Sequence, residues 1–216
     1  MTMHPLMIVD DHPIVRHGIA QLLAGQPDLR CDLQADDADT ALQLLRQHPV
    51  DLVIVDISMP GLSGLDLTRR IAASWPALPV LVLSMHEESV YAERAFNAGA
   101  RGYLTKQGAT DRLLEAVRRL LQGGAYFSPA LEQRMLAGLR GQHTPAAAAP
   151  GGLATLNERE FEVMQMLAQG LSSQEMAVRI NRSVKSVEAY RAALRTKLGA
   201  RTLADLTRLA ITYCAR

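Results

Sequence analysis

The chain has 216 residues, with 23 Lys/Arg against 22 Asp/Glu, 48% hydrophobic residues and two cysteines. That length holds one large domain or two small ones with separate cores, and the composition is that of an ordinary globular protein. No apolar run nears the roughly 20 residues of a membrane span, and Cys31 and Cys214, far apart and without metal-ligand spacing, read as reduced thiols.

The near-neutral total hides an asymmetry. Residues 1–125 carry 11 Lys/Arg and 15 Asp/Glu, net −4; residues 153–216 carry 10 and 6, net +4. An acidic half followed by a basic half fits a regulatory domain joined to a polyanion binder. Met1 to Met7 has neither the basic region nor the long apolar core of a signal peptide, so the chain reads as cytoplasmic.

From the N-terminus, apolar runs alternate with helical periodicity. Leu6 to Val9 reads as a strand ending at Asp10 and Asp11, and Ile14 to Leu23 has helical spacing. Leu29 to Ala35 reads as a strand whose Asp32 and Gln34 place it at a sheet edge, followed by a helix over Thr40 to Arg46. Leu52 to Val55 runs into Asp56, Val80 to Leu83 into Ser84, and Gly102 to Thr105 into Lys106. Helices fall over Leu67 to Ala73, Val90 to Ala98 and Thr110 to Leu121. Five strand–helix units with continuous apolar strands predict a doubly wound parallel sheet covered on both faces.

Residues 126–152 read as a linker. Its Gly138 to Gly152 stretch, GLRGQHTPAAAAPGG, is rich in Gly, Ala and Pro, and Gln133 to Leu139 is a candidate short helix leading into it. Beyond it only helices are expected. Asn157 starts one that runs to Gln169, with Glu160 at the N3 position. Ser172 and Glu175 form a capping box for a short second helix ending near Ile180; Ser183 caps a third that stops at Gly199; Thr202 starts a fourth. The fold class is therefore α/β, a (βα)5 doubly wound domain over residues 1–125 plus a small all-α domain over 153–216.

In a doubly wound sheet, sites form outside the carboxyl ends of the strands. Asp10, Asp11, Asp56, Ser84 and Lys106 follow four different strands yet converge there. Three carboxylates suit a hard divalent cation such as Mg2+. A carboxylate beside that cation can attack phosphorus and become an aspartyl phosphate. Lys106 can neutralise phosphoryl oxygens, and Ser84 can donate a hydrogen bond to the attached group.

The segments MIVDDHPIVR, LVIVDISMPGLSGLDL, VLVLSMH and GARGYLTK resemble, in order and spacing, the receivers of response regulators. The resemblance spans about residues 5–124. It implies Asp56 as phosphoacceptor, Asp10 and Asp11 as metal-site acids, the Ser58 backbone carbonyl as a further ligand, Ser84 and Lys106 as phosphate sensors, and Tyr103 as the aromatic switch. Gln107 departs from the pattern, since many receivers place proline there.

The second and third C-terminal helices, joined by Asn181–Arg182–Ser183, form a helix-turn-helix. Val187, Tyr190, Leu194 and Leu198 recur at helical spacing and face the core. Lys185, Glu188, Ala189, Ala192 and Arg195 then lie on the opposite side with Arg191 flanking it, where they can enter the major groove of promoter DNA. The segments LNEREFEVMQMLAQGLSSQEMAVRI, SVKSVEAYRAALRTKLGA and RTLADLTRLAI resemble the LuxR-type DNA-binding domain, and with a receiver this is the NarL/FixJ architecture. That resemblance implies a sensor histidine kinase as phosphoryl donor, a homodimer through the fourth helix with Leu206, Leu209 and Tyr213 as contacts, and RNA polymerase as a further partner. An aspartyl-phosphate hydrolase is the competing enzyme reading. Such enzymes use D-x-D, whereas Ser58 occupies the second acidic position and no substrate-cap insertion occurs. A phosphorylation-independent DNA binder is a third reading, against which the complete acidic pocket weighs.

Overall fold

In the computed structural model the described residues are 3–59, 61–85, 88–106, 109–129, 131–133 and 156–214. They fall into two compact units, divided at Gln142 and His143.

The first unit alternates strands and helices: β1 (His4–Val9), α1 (Pro13–Ala24), β2 (Leu29–Ala35), α2 (Ala38–Gln47), β3 (Leu52–Asp56), α3 (Gly64–Ser74), β4 (Val80–Ser84), α4 (Glu88–Asn97), β5 (Gly102–Thr105) and α5 (Ala109–Leu121). The sheet order is β2-β1-β3-β4-β5, and every pairing is parallel. β3 and β4 are buried at every residue, which explains their unbroken apolar runs: helices cover both of their faces. On one face Leu6, Ile8, Leu52, Ile54, Leu81 and Leu83 pack with Ile19 and Leu23 of α1 and Leu113, Val117 and Leu120 of α5. Alternate residues point to the other face, and Met7, Val53, Val55 and Val82 are equally buried. β2 is the edge strand its polar residues predict. Cys31 on it is a buried free thiol whose pKa burial, helped by the Asp32 charge, pushes up to about 12.

Helix starts follow local chemistry. Pro13 opens α1, where its missing N–H costs nothing. Asp37 accepts from Thr40 N at 2.7 Å and caps α2, which holds its carboxyl below the usual range. Ser63 accepts from Asp66 N to cap α3.

The chain does not leave this domain at 125. Tyr103 N donates to Tyr126 O and Tyr126 N donates to Arg101 O, both at 2.9 Å, so Tyr126 pairs with the outer edge of β5. Phe127 and Leu131 are buried, and the Phe127 ring meets Phe96 edge-on at 6.0 Å. The first residues of the expected linker thus cover a strand edge that would otherwise present unpaired backbone. The Gly138 to Gly152 stretch and the candidate helix from Gln133, save Gln133 itself, lie outside the described residues.

The second unit contains α6 (Glu158–Ala168), α7 (Ser173–Arg179), α8 (Val184–Leu198) and α9 (Leu203–Cys214). Both expected capping boxes form, Asn157 with Glu160 and Ser172 with Glu175. Thr202 and Asp205 exchange a reciprocal pair at the start of α9. Gly199 ends α8 at φ 67, a left-handed position that favours glycine. Asn181, at φ 50, makes the turn between α7 and α8, where its short polar side chain tolerates positive φ. The core is Met164, Met176, Val187, Leu194, Leu206 and Ala210. Among the described residues no helix is long and apolar enough to cross a membrane.

Candidate functional site

Parallel register brings the strand ends together. Val9 pairs with Val55, Asp56 with Leu83 and Ser84 with Thr105, so Asp10, Asp56, Ser84 and Lys106 follow one another across the carboxyl edge of the sheet. The chain leaves β1 toward β2 on one side while β3 lies on the other, and Asp10 and Asp56 flank that crevice. Both carboxylates are almost wholly buried. Lys106 Nζ donates to Asp10 Oδ2 at 2.7 Å and lies 3.0 Å from Asp56 Oδ2.

Asp56 is the least satisfied of the acids. Neither of its oxygens accepts a hydrogen bond of good geometry, though Lys106 and the Ser58 N–H face them. Burial pushes its pKa up and the Asp10 charge adds to this, with Lys106 only partly opposing them. Burial works against the Lys106 charge, but Asp56 and Asp10 outweigh it and lift its pKa above the ordinary lysine value. Asp11 Oδ1 is likewise buried and accepts no hydrogen bond of good geometry. Ligand atoms of Asp10, Asp11, His12 and Asp56 lie within 4.8 Å of one another, a cluster able to hold a metal ion. Ser84 is fully buried at the end of β4, and Tyr103 is buried on β5 opposite Val82. Gln107 lies outside the described residues.

Three residues at this edge escape a reading of side-chain types. His12 donates its backbone N–H to Asp10 Oδ1 at 2.8 Å, and its ring lies 2.9 Å from Asp11 Oδ1. Arg16, on the first turns of α1, donates to the Asp10 backbone carbonyl. Gly64 starts α3 directly against Asp56: a Cβ there would sit 1.9 Å from the Asp56 carbonyl oxygen. The M-P-G-L-S-G sequence after Asp56 carries that glycine, but nothing in it says which atom the glycine must avoid.

In the second unit, Lys185, Glu188, Ala189, Ala192 and Arg195 are exposed on α8, while Val187 and Leu194 are buried and Tyr190 and Leu198 half-buried. The expected division of the helix therefore holds. Arg191 differs from its neighbours: its guanidinium is half-buried, pairs with Glu188 at 2.8 Å and donates to Ser173 at the start of α7. Arg195 donates to the Arg201 carbonyl at 2.9 Å. Leu206 corrects the expectation for the fourth helix. It is fully buried in its own domain, so it packs inside and offers nothing to a partner, while Leu209 and Tyr213 are half-buried.

Residues 6–118 match the response regulator receiver domain, and residues 154–210 match the luxR family of bacterial regulatory proteins. Together with the strand-end acids and the helix-turn-helix, these matches decide the family. The chain belongs to the NarL/FixJ response regulators. It is 32% identical to response regulator UvrY of Escherichia coli (strain K12) across 96% of this chain and 94% of that protein. It is 38% identical to transcriptional regulatory protein UhpA of Salmonella typhimurium, across 89% and 90%. Among solved structures it is similar to RcsB from Salmonella enterica serovar Typhimurium bound to promoter rprA in the presence of phosphomimetic BeF3−: 25% identity, TM-score 0.56, 96% of this chain and 98% of that one. This NarL/FixJ member is a DNA-binding response regulator of a two-component system.

Proposed function

We propose that Asp56 is the phosphoacceptor and that its phosphorylation by a sensor histidine kinase controls dimerisation and promoter binding. The observation that carries this reading is the state of Asp56: buried, short of hydrogen bonds, and facing Lys106 at 3.0 Å. An Asp56 oxygen attacks phosphorus, the bond to the donor nitrogen breaks, and its electron pair leaves with the imidazole. Lys106 turns from carboxylate to phosphoryl oxygens as charge gathers there. Ser84, on the neighbouring strand end, donates its hydroxyl to the attached group, and Tyr103 follows it inward as the switch.

Asp10, Asp11, Asp56 and the Ser58 carbonyl would hold Mg2+, and the donor set fits, being oxygen-rich, with buried Asp11 and Asp56 oxygens that accept no hydrogen bond of good geometry. An ion bound there would help neutralise the phosphoryl charge. We assign residues 1–125 to the receiver, extended by Tyr126, Phe127 and Leu131, which pack on it, the rest of 126–152 to the connection and 153–216 to the DNA-binding domain. In the latter, Lys185 and Arg195 meet phosphates, Glu188, Ala189 and Ala192 face base edges, and Arg191 aims between the two. Leu209 and Tyr213 of α9 are the dimer contacts, the protein acts in the cytoplasm, and RNA polymerase is its partner at the promoter.

The test is labelling by a small phosphodonor with Mg2+. The expected product is one acid-labile, hydroxylamine-sensitive phosphoryl group, absent from Asp56→Asn because an amide is no nucleophile here. Equal labelling of that variant overturns the assignment.

A further inference from the structure

At the end of the sheet opposite Asp56, the loops entering β3 and β4 frame a cavity of about 710 Å³ walled by Val50, Trp75 and Leu78. Around Trp75 it adjoins a second cavity of about 410 Å³ between α2 and α3, reached by Arg46 and Arg70. Arg46, Ser74 and Trp75 line both. The volumes fall in the range of small-molecule sites, roughly 300–1,000 Å³. β3 separates this end from Asp56 by about 13 Å at strand rise, so the groove stands apart from the phosphoacceptor.

Trp75 is the chain's one tryptophan. It sits half-buried at the end of α3, and its backbone is fixed on both sides: its N–H donates to Ile71 O at 2.7 Å, and its carbonyl accepts from Leu78 N at 3.0 Å. A large indole left partly uncovered, lining both cavities, offers a stacking face. The charge beside it is one-sided. Arg69 is held by Asp66, whereas Arg46 and Arg70 are exposed and pair with no carboxylate among the described residues. The single carboxylate lining either cavity, Asp51, is already engaged by His4 at 2.6 Å. Guanidinium forks recognise carboxylate and phosphate groups bidentately.

We propose that this groove binds a planar aromatic anion, its ring on Trp75 and its acid group between Arg46 and Arg70. The site lies on the receiver apart from the phosphorylation pocket.

Because Trp75 is the sole indole, its fluorescence in the full-length protein reports the site directly. Titration with nicotinate and with adenosine monophosphate compares a carboxylate with a phosphate, and nicotinamide supplies the same ring without charge. Saturable quenching by at least one anion is expected, at least about tenfold tighter than nicotinamide, which is the scale of a lost charge-assisted hydrogen bond. The exposed pair Arg46→Gln/Arg70→Gln is expected to weaken it by about tenfold or more while far-UV circular dichroism and phosphodonor labelling stay unchanged. Arg46→Lys/Arg70→Lys keeps the charge without the fork and should fall between. Quenching that rises linearly and equally for nicotinate and nicotinamide overturns the proposal, as does saturable binding that the glutamine pair leaves intact.

Discussion

Each domain sets buried carboxylate against a lysine, one acid in the helical domain and two in the receiver, and the two arrangements are built to opposite ends. In the helical domain, Glu160 accepts from Asn157 N at 2.8 Å and from Lys197 Nζ at 2.6 Å. In the receiver, Asp56 has Lys106 at 3.0 Å, no hydrogen bond of good geometry, and a second acid, Asp10, competing for the same lysine. Glu160 closes a capping box and ties α6 to α8, so its charge is spent on structure. Asp56 keeps its oxygens uncommitted at a strand end, where they are available for chemistry. Burial alone therefore does not mark a functional carboxylate; burial without completed partners does.

The comparison breaks most sharply at Lys197. Lys197→Met leaves Glu160 buried with one N–H donor and no counter-charge. Removing one partner of a buried pair typically costs about 3–5 kcal/mol. The Lys197 side chain is a third exposed, so the low end, about 3 kcal/mol, is expected here. Trp75 lies in the other unit. Both units hold helices, so urea unfolding should show the part of the circular dichroism change that Trp75 fluorescence does not follow moving to lower denaturant, while the Trp75 transition stays in place. A shift of both, or of neither, removes the distinction drawn between the pairs.

Gly64→Ala tests the receiver side sterically. The new methyl would lie 1.9 Å from the Asp56 carbonyl oxygen, so the start of α3 must shift. Overpacking of this kind costs about 1–3 kcal/mol. Phosphodonor labelling should slow together with a lower Trp75 transition midpoint. Unchanged labelling would mean that α3 does not position Asp56.

A smaller effect of opposite sign is expected at Asp56 itself. Burial raises its carboxyl pKa above the unfolded value, so the folded state holds the proton more tightly. Stability is then greatest below the unfolded pKa, about 3.9, and declines as pH rises through the folded one. Asp56→Asn removes that decline. In Mg2+-free buffer its unfolding midpoint should match the wild type at low pH and exceed it at neutral pH. A variant less stable than wild type at neutral pH would show that Lys106 outweighs the burial penalty.

The sheet was legible because its central strands are fully buried and read as unbroken apolar runs. The β2 edge was legible for the opposite reason, through Asp32 and Gln34. The acid and lysine set was legible because each residue follows a strand directly. What escaped acts through backbone or through absence. Tyr126 joins β5 by main-chain bonds that leave no side-chain pattern, Arg16 bonds a carbonyl, and Gly64 matters for an atom it lacks. Leu206 shows the limit of periodicity. Leu203, Leu206, Leu209 and Ala210 all recur at helical spacing, yet the fold buries Leu206 and Ala210 and leaves Leu203 and Ile211 half-exposed.

The mildest test concerns a third pair, Glu188 and Arg191, which belongs to neither class. Glu188 is more than half exposed, so its contact with Arg191 adds little to stability, about 0.5 kcal/mol or less. Its place on the outer face of α8 gives it a different consequence. A carboxylate there repels phosphates and holds the Arg191 fork against Ser173. Glu188→Gln should leave both unfolding transitions in place and tighten binding to unrelated DNA. The freed guanidinium should steepen the salt dependence by about one phosphate contact, a slope change near 0.9. On the preferred promoter the gain should be smaller if Glu188 reads a base edge, because the neutral Gln oxygen accepts there more weakly than a carboxylate; a good base contact supplies about 1–3 kcal/mol of discrimination. The ratio of specific to non-specific affinity therefore falls. Equal tightening on every sequence would show that Glu188 restrains Arg191 without reading a base.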